Sequence, residues 1–222
     1  TRAIIIAASD LAAMAAKPKV FFLSLSLPKK YNIKLIKKLV EGIKVAINLT
    51  NLKLAGGDIC TYGGPISICV TVIGEANRQE IILRKGAKVG DKLLVTGNIG
   101  DAKVGLDCLL KKNYNLSKKE KNILTKKFLV PPILHKFSHS IKKYVNACID
   151  LSDGLVIDSG KIAKNSNCGL RVYSKAIPIS EICSKLLIKN ILKLEDLVSA
   201  GDDYELAFAA DQKKIKKIKK IA

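Results

Sequence analysis

An eight-residue stretch at positions 148–155, CIDLSDGL, places two carboxylates and a hydroxyl among apolar side chains. An unpaired carboxylate is costly to bury. Asp153 precedes a helical pattern and can be satisfied by capping it, but Asp150 lies in the preceding apolar run, where no cap explains it. The pattern therefore predicts a positively charged partner for these acids, such as a metal ion.

Other acids recur beside glycines or at the start of a helical pattern. Asp58 follows a Gly-Gly pair, Asp202 and Asp203 follow another glycine, and Asp10 opens an alanine-rich segment. Several oxygen ligands at turns suit Mg²⁺, which prefers a few carboxylates together with waters and substrate phosphates. Gly57 lets backbone N–H groups approach a phosphate. Each of these short motifs taken alone also fits an ordinary turn.

The best-known nucleotide and metal motifs do not occur. The chain has neither the GxxxxGK[ST] pattern nor a GxGxxG fingerprint, and TGNIGDAKVG has the wrong glycine spacing for the latter. His135 and His139 are four residues apart without the glutamate of a zinc protease, and no CxxC pair is present. A nucleotide site here must be built from scattered acids and glycines.

The charge balance is strongly basic, with 39 Lys and Arg against 19 Asp and Glu. Only four of the basic residues are Arg, and there is no Trp. Recognition of nucleic acids favours the arginine fork and stacking aromatic side chains. We therefore predict a solvated lysine surface and no nucleic-acid partner, and a basic nucleic-acid-binding module remains a remote alternative.

The cysteines and the ends of the chain bear on its location. Six cysteines stand mostly in apolar runs, which predicts reduced, core-type thiols in a cytoplasmic protein. The apolar run near the start is short and interrupted by Asp10, so we predict no membrane association. The missing initiator Met and the final lysine run indicate an internal fragment, truncated at both ends.

Residue patterning predicts an α+β, or mixed α/β, fold in two layers without a strict βαβ repeat. The residue pattern changes near residue 76, which divides the chain into an N-terminal domain, 1–75, and a C-terminal domain, 76–222. We predict a helix capped by Ser9 or Asp10, an amphipathic helix over 32–48, and a glycine-rich loop at AGGDICTYGG. Strands are predicted in KVFFLSLSLP, PISICVTVIGEA, EIIL, DKLLVTG, NACID, LRVYSKAIPIS and DDYELAFAA.

Five segments in order resemble the signatures of the thiamine-monophosphate kinase family, within the aminoimidazole-ribonucleotide-synthetase-like superfamily. SDLAAMAAKP resembles the family's (S/N)DLAAMGA-P segment, LAGGDI its GGDT loop, and ACIDLSDGL its ID-SDGL segment. LRKGAKVGDKLLVTGNIGDAKVGL resembles LR-GA--GD---VTG-LGDAA-GL, and SAGDDYELAF resembles GGEDYEL(L/C)F. The last two point to this kinase within the superfamily.

The resemblance implies ATP-dependent phosphorylation of thiamine monophosphate to thiamine diphosphate. It places the family's magnesium-binding acids at Asp10, Asp58, Asp150 and Asp153. It places the ATP-contacting positions at Gly57, Asp58, Arg84 and Ser152, and the acid that contacts the thiamine phosphate at Asp202. No catalytic side chain is assigned, because a phosphate acceptor is already ionised at pH 7 and phosphoryl transfer needs mainly positioning and charge neutralisation.

The chain departs from the family pattern at three residues and at its ends. Ala16 and Ala200 replace glycines, which is mild unless the backbone φ is positive there, and Asp202 replaces a glutamate. The family's N-terminal segment with its GDDAA-type loop, and the end of the second domain, are absent from this sequence.

The resemblance also implies an architecture and partners. The N-terminal domain is expected to supply sheet to a barrel shared across a homodimer, with ATP in the cleft between the domains and Mg²⁺ as the cofactor. ATP, thiamine monophosphate and a second copy of the chain are the expected partners, and a monovalent cation is left open. Another ATP-using member of the superfamily, of the aminoimidazole ribonucleotide synthetase, hydrogenase-maturation or selenophosphate synthetase type, remains the alternative.

Overall fold

The computed structural model describes all 222 residues and contains two three-stranded sheets. In the first sheet, β1 (Lys17–Pro28) is central, pairs in parallel with β2 (Lys53–Tyr62) and pairs antiparallel with β3 (Ser67–Glu75). Two helices cover one face of this sheet, α1 (Arg2–Ala13) and α2 (Ile33–Thr50).

The second sheet is antiparallel throughout and has the order β4-β6-β5. Seven helices accompany it, and short 3-10 turns occur at Lys142–Tyr144, Ser174–Ala176 and Gln212–Lys214. Its elements are β4 (Lys92–Val95), α3 (Asp101–Leu109), α4 (Lys118–Leu129), α5 (His135–Ile141), β5 (Ala147–Asp150), α6 (Leu155–Asn165), α7 (Glu181–Ile188), α8 (Leu194–Val198), β6 (Leu206–Ala210) and α9 (Ile215–Ile221).

Helix α1 connects the two halves of the chain because opposite parts of it enter different cores. Ile4 and Ala8 pack with Phe21 of β1 in one core. Ala12 and the following turn pack with Phe208 of β6 in the other. The small alanine side chains let the helix lie close to both sheets, so residues carried by α1 are held at the junction between them.

The predicted fold class is confirmed, and most of the predicted elements are present. Helix α2 begins after Asn32, whose side chain accepts a hydrogen bond from the backbone of Lys34, close to its predicted start. Helix α4 opens with a capping box in which Ser117 and Glu120 bond reciprocally to the backbone. Both caps use side chains within three positions of the backbone groups they bond.

Four element predictions are wrong. Helix α1 begins at Arg2 rather than at Ser9 or Asp10, because its apolar face is buried between the sheets. The glycine-rich segment predicted as a loop is strand β2, whose pairing with β1 satisfies its backbone. EIIL and LRVYSKAIPIS form no regular strand, and the second contains only a 3-10 turn. Apolar residues there pack on existing cores without adding a ladder.

One face of the first sheet carries no helix, and we call it the open face. Phe21 and Leu25 of β1 are buried, Phe21 in the core beneath the helices, whereas Phe22 on the other side is 39% exposed. Cys60 and Cys69 are exposed on the strands that flank β1, so the prediction of core-type thiols is wrong for these two. No helix combines the length and the apolar character that crossing a membrane requires.

Candidate functional site

Asp150 is placed by strand β5, of which it is the last residue. All four residues of this strand are buried, and Asp150 retains only 4% of its surface. The strand pairs with β6, so that Asp150 lies opposite Leu206. A turn of four residues then leads into α6. The sequence pattern of a carboxylate at the end of an apolar strand is therefore realised as a buried acid at a sheet edge.

The electrostatic surroundings of Asp150 disfavour its charge. Burial raises the pKa of this carboxyl, and the neighbouring carboxylate of Asp10 raises it further, against a smaller opposing contribution from the side chain of Ser9. No basic side chain forms an ion pair with Asp150. Asp150 therefore lies near a second acid and has no basic partner of its own, and two neighbouring carboxylates form a donor set suited to a hard divalent cation.

Asp153, three positions further along the same motif, is arranged differently. Its side chain is 57% exposed and forms an ion pair with the Lys161 ammonium at 2.6 Å. Asp158, in the first turn of α6 and fully buried, accepts the backbone N–H groups of Asp153 and Gly154 and also binds Lys161. Asp158 holds the turn in place, a role that its sequence position at the start of a helix could have signalled.

Two glycines allow the Asp150–Gly154 turn to pack closely on the loop that precedes β6. Gly154 has a φ of +111°, and a Cβ there would lie 2.8 Å from the carbonyl oxygen of Ala200. A Cβ on Gly201 would lie 2.1 Å from the carbonyl oxygen of Ser152. Neither Ala16 nor Ala200 has a positive φ, so these replacements of glycine add no backbone strain.

Asp202 lies in that second loop, beside the turn that carries Ser152. Its backbone N–H donates to the carbonyl oxygen of Ser152 at 3.0 Å, and its φ of +75° is unusual for a residue with a side chain. The carboxylate forms an ion pair with Arg2 at the start of α1. Sequence reasoning missed Arg2, because 200 positions separate it from its partner.

Arg84 approaches Asp10 from the chain segment after the first sheet. The shortest distance between its guanidinium and the Asp10 carboxylate is 3.4 Å, and both side chains are more than half exposed. The two residues line a cavity of about 470 Å³ whose wall includes Met14, Leu83 and Asn165. This cavity combines an apolar wall with two cationic residues, Arg84 and Lys85.

A second cavity, of about 430 Å³, lies on the other side of Asp10. Asp150, Ser152 and Tyr204 line it together with residues of α1 and β3. Asp10 lines both cavities and therefore stands between them. The structure thus brings together Asp10, Asp150, Ser152 and Arg84 at the junction of the two halves, with Asp202 bonded to the same turn.

Asp58 and Gly57 lie elsewhere in a single chain. Asp58 is opposite Ser24 in the β1–β2 ladder, and its neighbour Cys60 bonds to Ser26, which places Asp58 on the open face, away from α1. Gly57 packs so closely on β1 that a Cβ would lie 1.9 Å from the carbonyl oxygen of Leu23. No group of three or more His, Cys, Asp or Glu side chains is close enough to hold a metal ion.

Three further buried acids lie next to the site and were not assigned a role from the sequence. Asp203 accepts two hydrogen bonds from the backbone N–H of Gly100, and burial raises its pKa to about 7. Glu205 accepts a bond from Thr96 at 2.6 Å, and burial raises its pKa as well. Asp101 accepts bonds from Ser180 and Cys183. The bonds of Asp203 and Glu205 link the β6 segment to the turn before α3, and those of Asp101 link α3 to the start of α7.

Comparison with known proteins places both halves of the chain in one family. Residues 1–76 match the model of the AIR synthase related protein N-terminal domain, and residues 88–222 match that of the C-terminal domain. The thiamine-monophosphate kinase of Buchnera aphidicola subsp. Schizaphis graminum is 39% identical over 214 residues, which cover 95% of this chain and 64% of that protein. The chain therefore spans a little under two thirds of the length of this curated relative.

Two solved structures support the same relationship. The crystal structure of thiamine-monophosphate kinase from Stenotrophomonas maltophilia K279a superposes with a TM-score of 0.88 at 30% identity and covers all of this chain and 72% of that one. The structure of AaThiL complexed with AMPPCP and TMP superposes with a TM-score of 0.85 at 27% identity, over 96% of this chain and 71% of that one.

Proposed function

This chain belongs to the thiamine-monophosphate kinase family of the AIR synthase related proteins, and we propose that the protein transfers the γ-phosphoryl group of ATP to the phosphate of thiamine monophosphate. The product is thiamine diphosphate. The observation that carries the proposal is the meeting of Asp10 and Asp150 beside Ser152, with a cavity on either side of Asp10. A related structure that was solved with both AMPPCP and TMP supports two ligand positions.

Each cavity suits one of the two substrates. We assign ATP to the cavity at Arg84, because an apolar wall fits a nucleobase and the guanidinium fork fits a phosphate. Ser152 lines the second cavity and remains a proposed ATP contact, since its hydroxyl can donate to a nucleotide phosphate oxygen that reaches past Asp10. We assign thiamine monophosphate to the region of Asp202, whose loop is bonded to the Ser152 turn.

The residues present fit Mg²⁺, because the buried Asp150 has no basic partner and the nearby Asp10, whose one ion pair is the exposed 3.4 Å contact with Arg84, offers further carboxylate oxygens. Mg²⁺ at these acids would neutralise the negative charge of the two phosphate groups. Asp153 and Asp58 remain proposed ligands. In a single chain, Asp153 is paired with Lys161 and Asp58 lies on the open face. Gly57 remains a proposed ATP contact, and a requirement for a monovalent cation is left open.

The reaction requires little covalent chemistry from the protein. The acceptor is a phosphate oxygen that is already ionised at pH 7, so no side chain has to remove a proton. The chain's own contribution is to hold the two substrates in line across Asp10 and to exclude water between the two halves. This positioning is the main source of rate enhancement in phosphoryl transfer.

We further propose that two copies associate through the open face. Phe22 and Ile73 are 39% and 50% exposed there, and a second sheet is a suitable cover for unpaired strand edges.

We place the domain boundary between residues 75 and 76. The six free cysteines support a reducing, cytoplasmic location.

The direct test is to incubate the natural gene product with ATP, MgCl₂ and thiamine monophosphate and to measure thiamine diphosphate and ADP. The proposal requires equimolar formation of both products, and their loss when EDTA is added. ADP release without thiamine diphosphate would contradict the proposed acceptor. Activity that persists unchanged in EDTA would contradict the role of the metal.

A further inference from the structure

Arg2 links the two halves of the chain next to the proposed substrate position. It extends from the first turn of α1 to the C-terminal half, where its guanidinium donates to the carbonyl oxygen of Phe128 and to the carboxylate of Asp202. The guanidinium carbon lies 3.9 Å from the centre of the Phe128 ring and 5.4 Å from that of Tyr204. The side chain is 20% exposed, so its ion pair is largely shielded from water.

The contacts of Arg2 use features that lysine does not have. A planar guanidinium can stack on an aromatic ring while its fork donates to two separate acceptors. Only four Arg occur among the 39 basic residues of the chain, and Lys serves at nearly every other basic position. An ammonium group at position 2 would keep the charge but could not hold the Phe128 carbonyl and the Asp202 carboxylate in the same planar arrangement.

The loop that Arg2 holds is conformationally unusual. Asp202 and Tyr204 both have positive φ values, +75° and +50°, which residues with side chains seldom adopt. The backbone N–H groups of Asp202 and Tyr204 donate to the carbonyl oxygens of Ser152 and Leu151, so the loop is bonded directly to the turn that follows Asp150. Asp10, on the same helix, is held independently of this ion pair, because α1 packs in both cores.

Arg2 leaves part of the Asp202 carboxylate available. Its bond is to one oxygen, Oδ1, and the Asp202 side chain remains 37% exposed. The second oxygen is free to face a positively charged ring or to accept from an amino group. Thiamine monophosphate has both features, in its thiazolium ring and its aminopyrimidine.

We propose that Arg2 is a positioning residue for thiamine monophosphate, which orients Asp202 by holding one of its carboxylate oxygens and leaves the other for the substrate. This inference rests on the proposed function. Arg2 itself does not touch the substrate and acts through Asp202. The predicted signature is a change in the KM for thiamine monophosphate that is not matched by a change in the KM for ATP.

The test compares Arg2→Met, Arg2→Lys, Asp202→Asn and the double variant Arg2→Met/Asp202→Asn in the natural gene product. We expect the KM for thiamine monophosphate to rise at least tenfold in Arg2→Met and less in Arg2→Lys, with the KM for ATP within twofold of wild type. The double variant should be no worse than the more impaired single variant, because both changes remove the same contact. Lys19→Met, which removes the Lys19–Glu75 ion pair on the first sheet, is the matched control and should leave both KM values unchanged.

Several outcomes would overturn the inference. An unchanged KM for thiamine monophosphate in folded Arg2→Met would do so, as would equal rises in both KM values or additive losses in the double variant. If Arg2→Met does not fold, as judged by circular dichroism, a folded Arg2→Lys with wild-type kinetics overturns it equally. A wild-type protein that forms no thiamine diphosphate overturns the proposed function, and this inference with it, whereas an active wild type with an insensitive Arg2 overturns this inference alone.

Discussion

At the scale of one residue, Asp150 shows how burial and a neighbouring acid disfavour the charge of a carboxylate. It keeps 4% of its surface, lies near Asp10, and has no basic partner. Its ionised form is therefore unfavourable until a positive charge arrives. Asp153, from the same short motif, already has Lys161 as its counterion. Two acids that look equivalent in the sequence thus have different electrostatic environments.

The substitution Asp150→Asn tests this difference. It keeps the shape of the side chain and removes its charge, so we expect turnover to fall about 1,000-fold, which corresponds to ~4 kcal/mol in activation free energy. The metal-free protein should become more stable at neutral pH, because an unfavourable buried charge is removed. Steady-state kinetics and urea unfolding in EDTA measure the two effects.

Asp211→Asn is the matched control, since Asp211 is exposed and asparagine can cap the following 3-10 turn equally well. It should change neither turnover nor stability. Normal activity in Asp150→Asn would remove this residue from the proposed metal site.

Asp203 makes stability depend on pH. Its pKa is raised to about 7 by burial, whereas an unfolded aspartate titrates near 4. Between these values the folded state binds the additional proton, so the free energy of unfolding should fall as the pH rises from about 4 to about 7. The contribution is up to about 4 kcal/mol, at about 1.36 kcal/mol per pKa unit.

The measurement is urea unfolding of wild type and Asp203→Asn at a series of pH values from 4 to 8. The variant should show a flatter dependence of the unfolding free energy on pH over this range. Glu41→Gln, at an exposed position on α2, is the control and should reproduce the wild-type slope. Identical slopes in wild type and Asp203→Asn would show that Asp203 does not titrate in this range.

At the scale of elements, glycine decides how closely α3 and α4 can pack. A Cβ on Gly105 of α3 would lie 2.1 Å from the carbonyl oxygen of Leu124 in α4, which is far below any permitted contact. Gly160 of α6 has no atom within 4 Å of a corresponding Cβ. Gly105 is therefore needed for the close packing of two helices, whereas Gly160 affects only the backbone entropy of the chain.

We expect Gly105→Ala to lower the free energy of unfolding by roughly 2–3 kcal/mol, because the helices must separate. Gly160→Ala should raise it by about 0.5–1 kcal/mol, since alanine favours the helix and meets no neighbour. Thermal and urea unfolding of the two variants provide the comparison. A tolerated Gly105→Ala would mean that the two helices are further apart than the structure shows.

At the scale of the whole molecule, one face of the first sheet, the open face, remains uncovered in a single chain. Phe22 and Ile73 are exposed there, while the opposite face is buried under α1 and α2. An uncovered sheet of this kind favours association. The proposed dimer would bury it and would leave the two cavities at Asp10 on the other side of the sheet.

The substitution Phe22→Asp places a charge in the centre of the open face. If two copies associate through it, the dissociation constant should rise at least 100-fold, equivalent to about 2.7 kcal/mol, as measured by sedimentation equilibrium. Val89→Asp is the control, because Val89 is 94% exposed in a loop. An unchanged oligomeric state in Phe22→Asp would move the interface elsewhere.

The sequence by itself determined the family, the fold class and the local arrangement of the turn after Asp150. Asp150, Ser152 and the turn into α6 are neighbours in the chain, so their spacing alone fixes their arrangement. The capping box of α4 likewise depends on two residues that are three positions apart. Asp10 was identified by its motif rather than by its environment. Local patterns were sufficient wherever hydrogen bonding and side-chain direction depend on residues within a few positions.

Only the tertiary structure decided which of the predicted residues meet. Strand β2 formed from a glycine-rich segment because β1 offered a ladder, and the register of that pairing sent Asp58 to the open face. Arg2 and Asp202 form an ion pair across 200 positions, which no local pattern encodes. The pKa of Asp203 likewise depends on burial by distant elements. Pairing, register and desolvation are long-range properties, so they exist only once both halves of the chain have packed around α1.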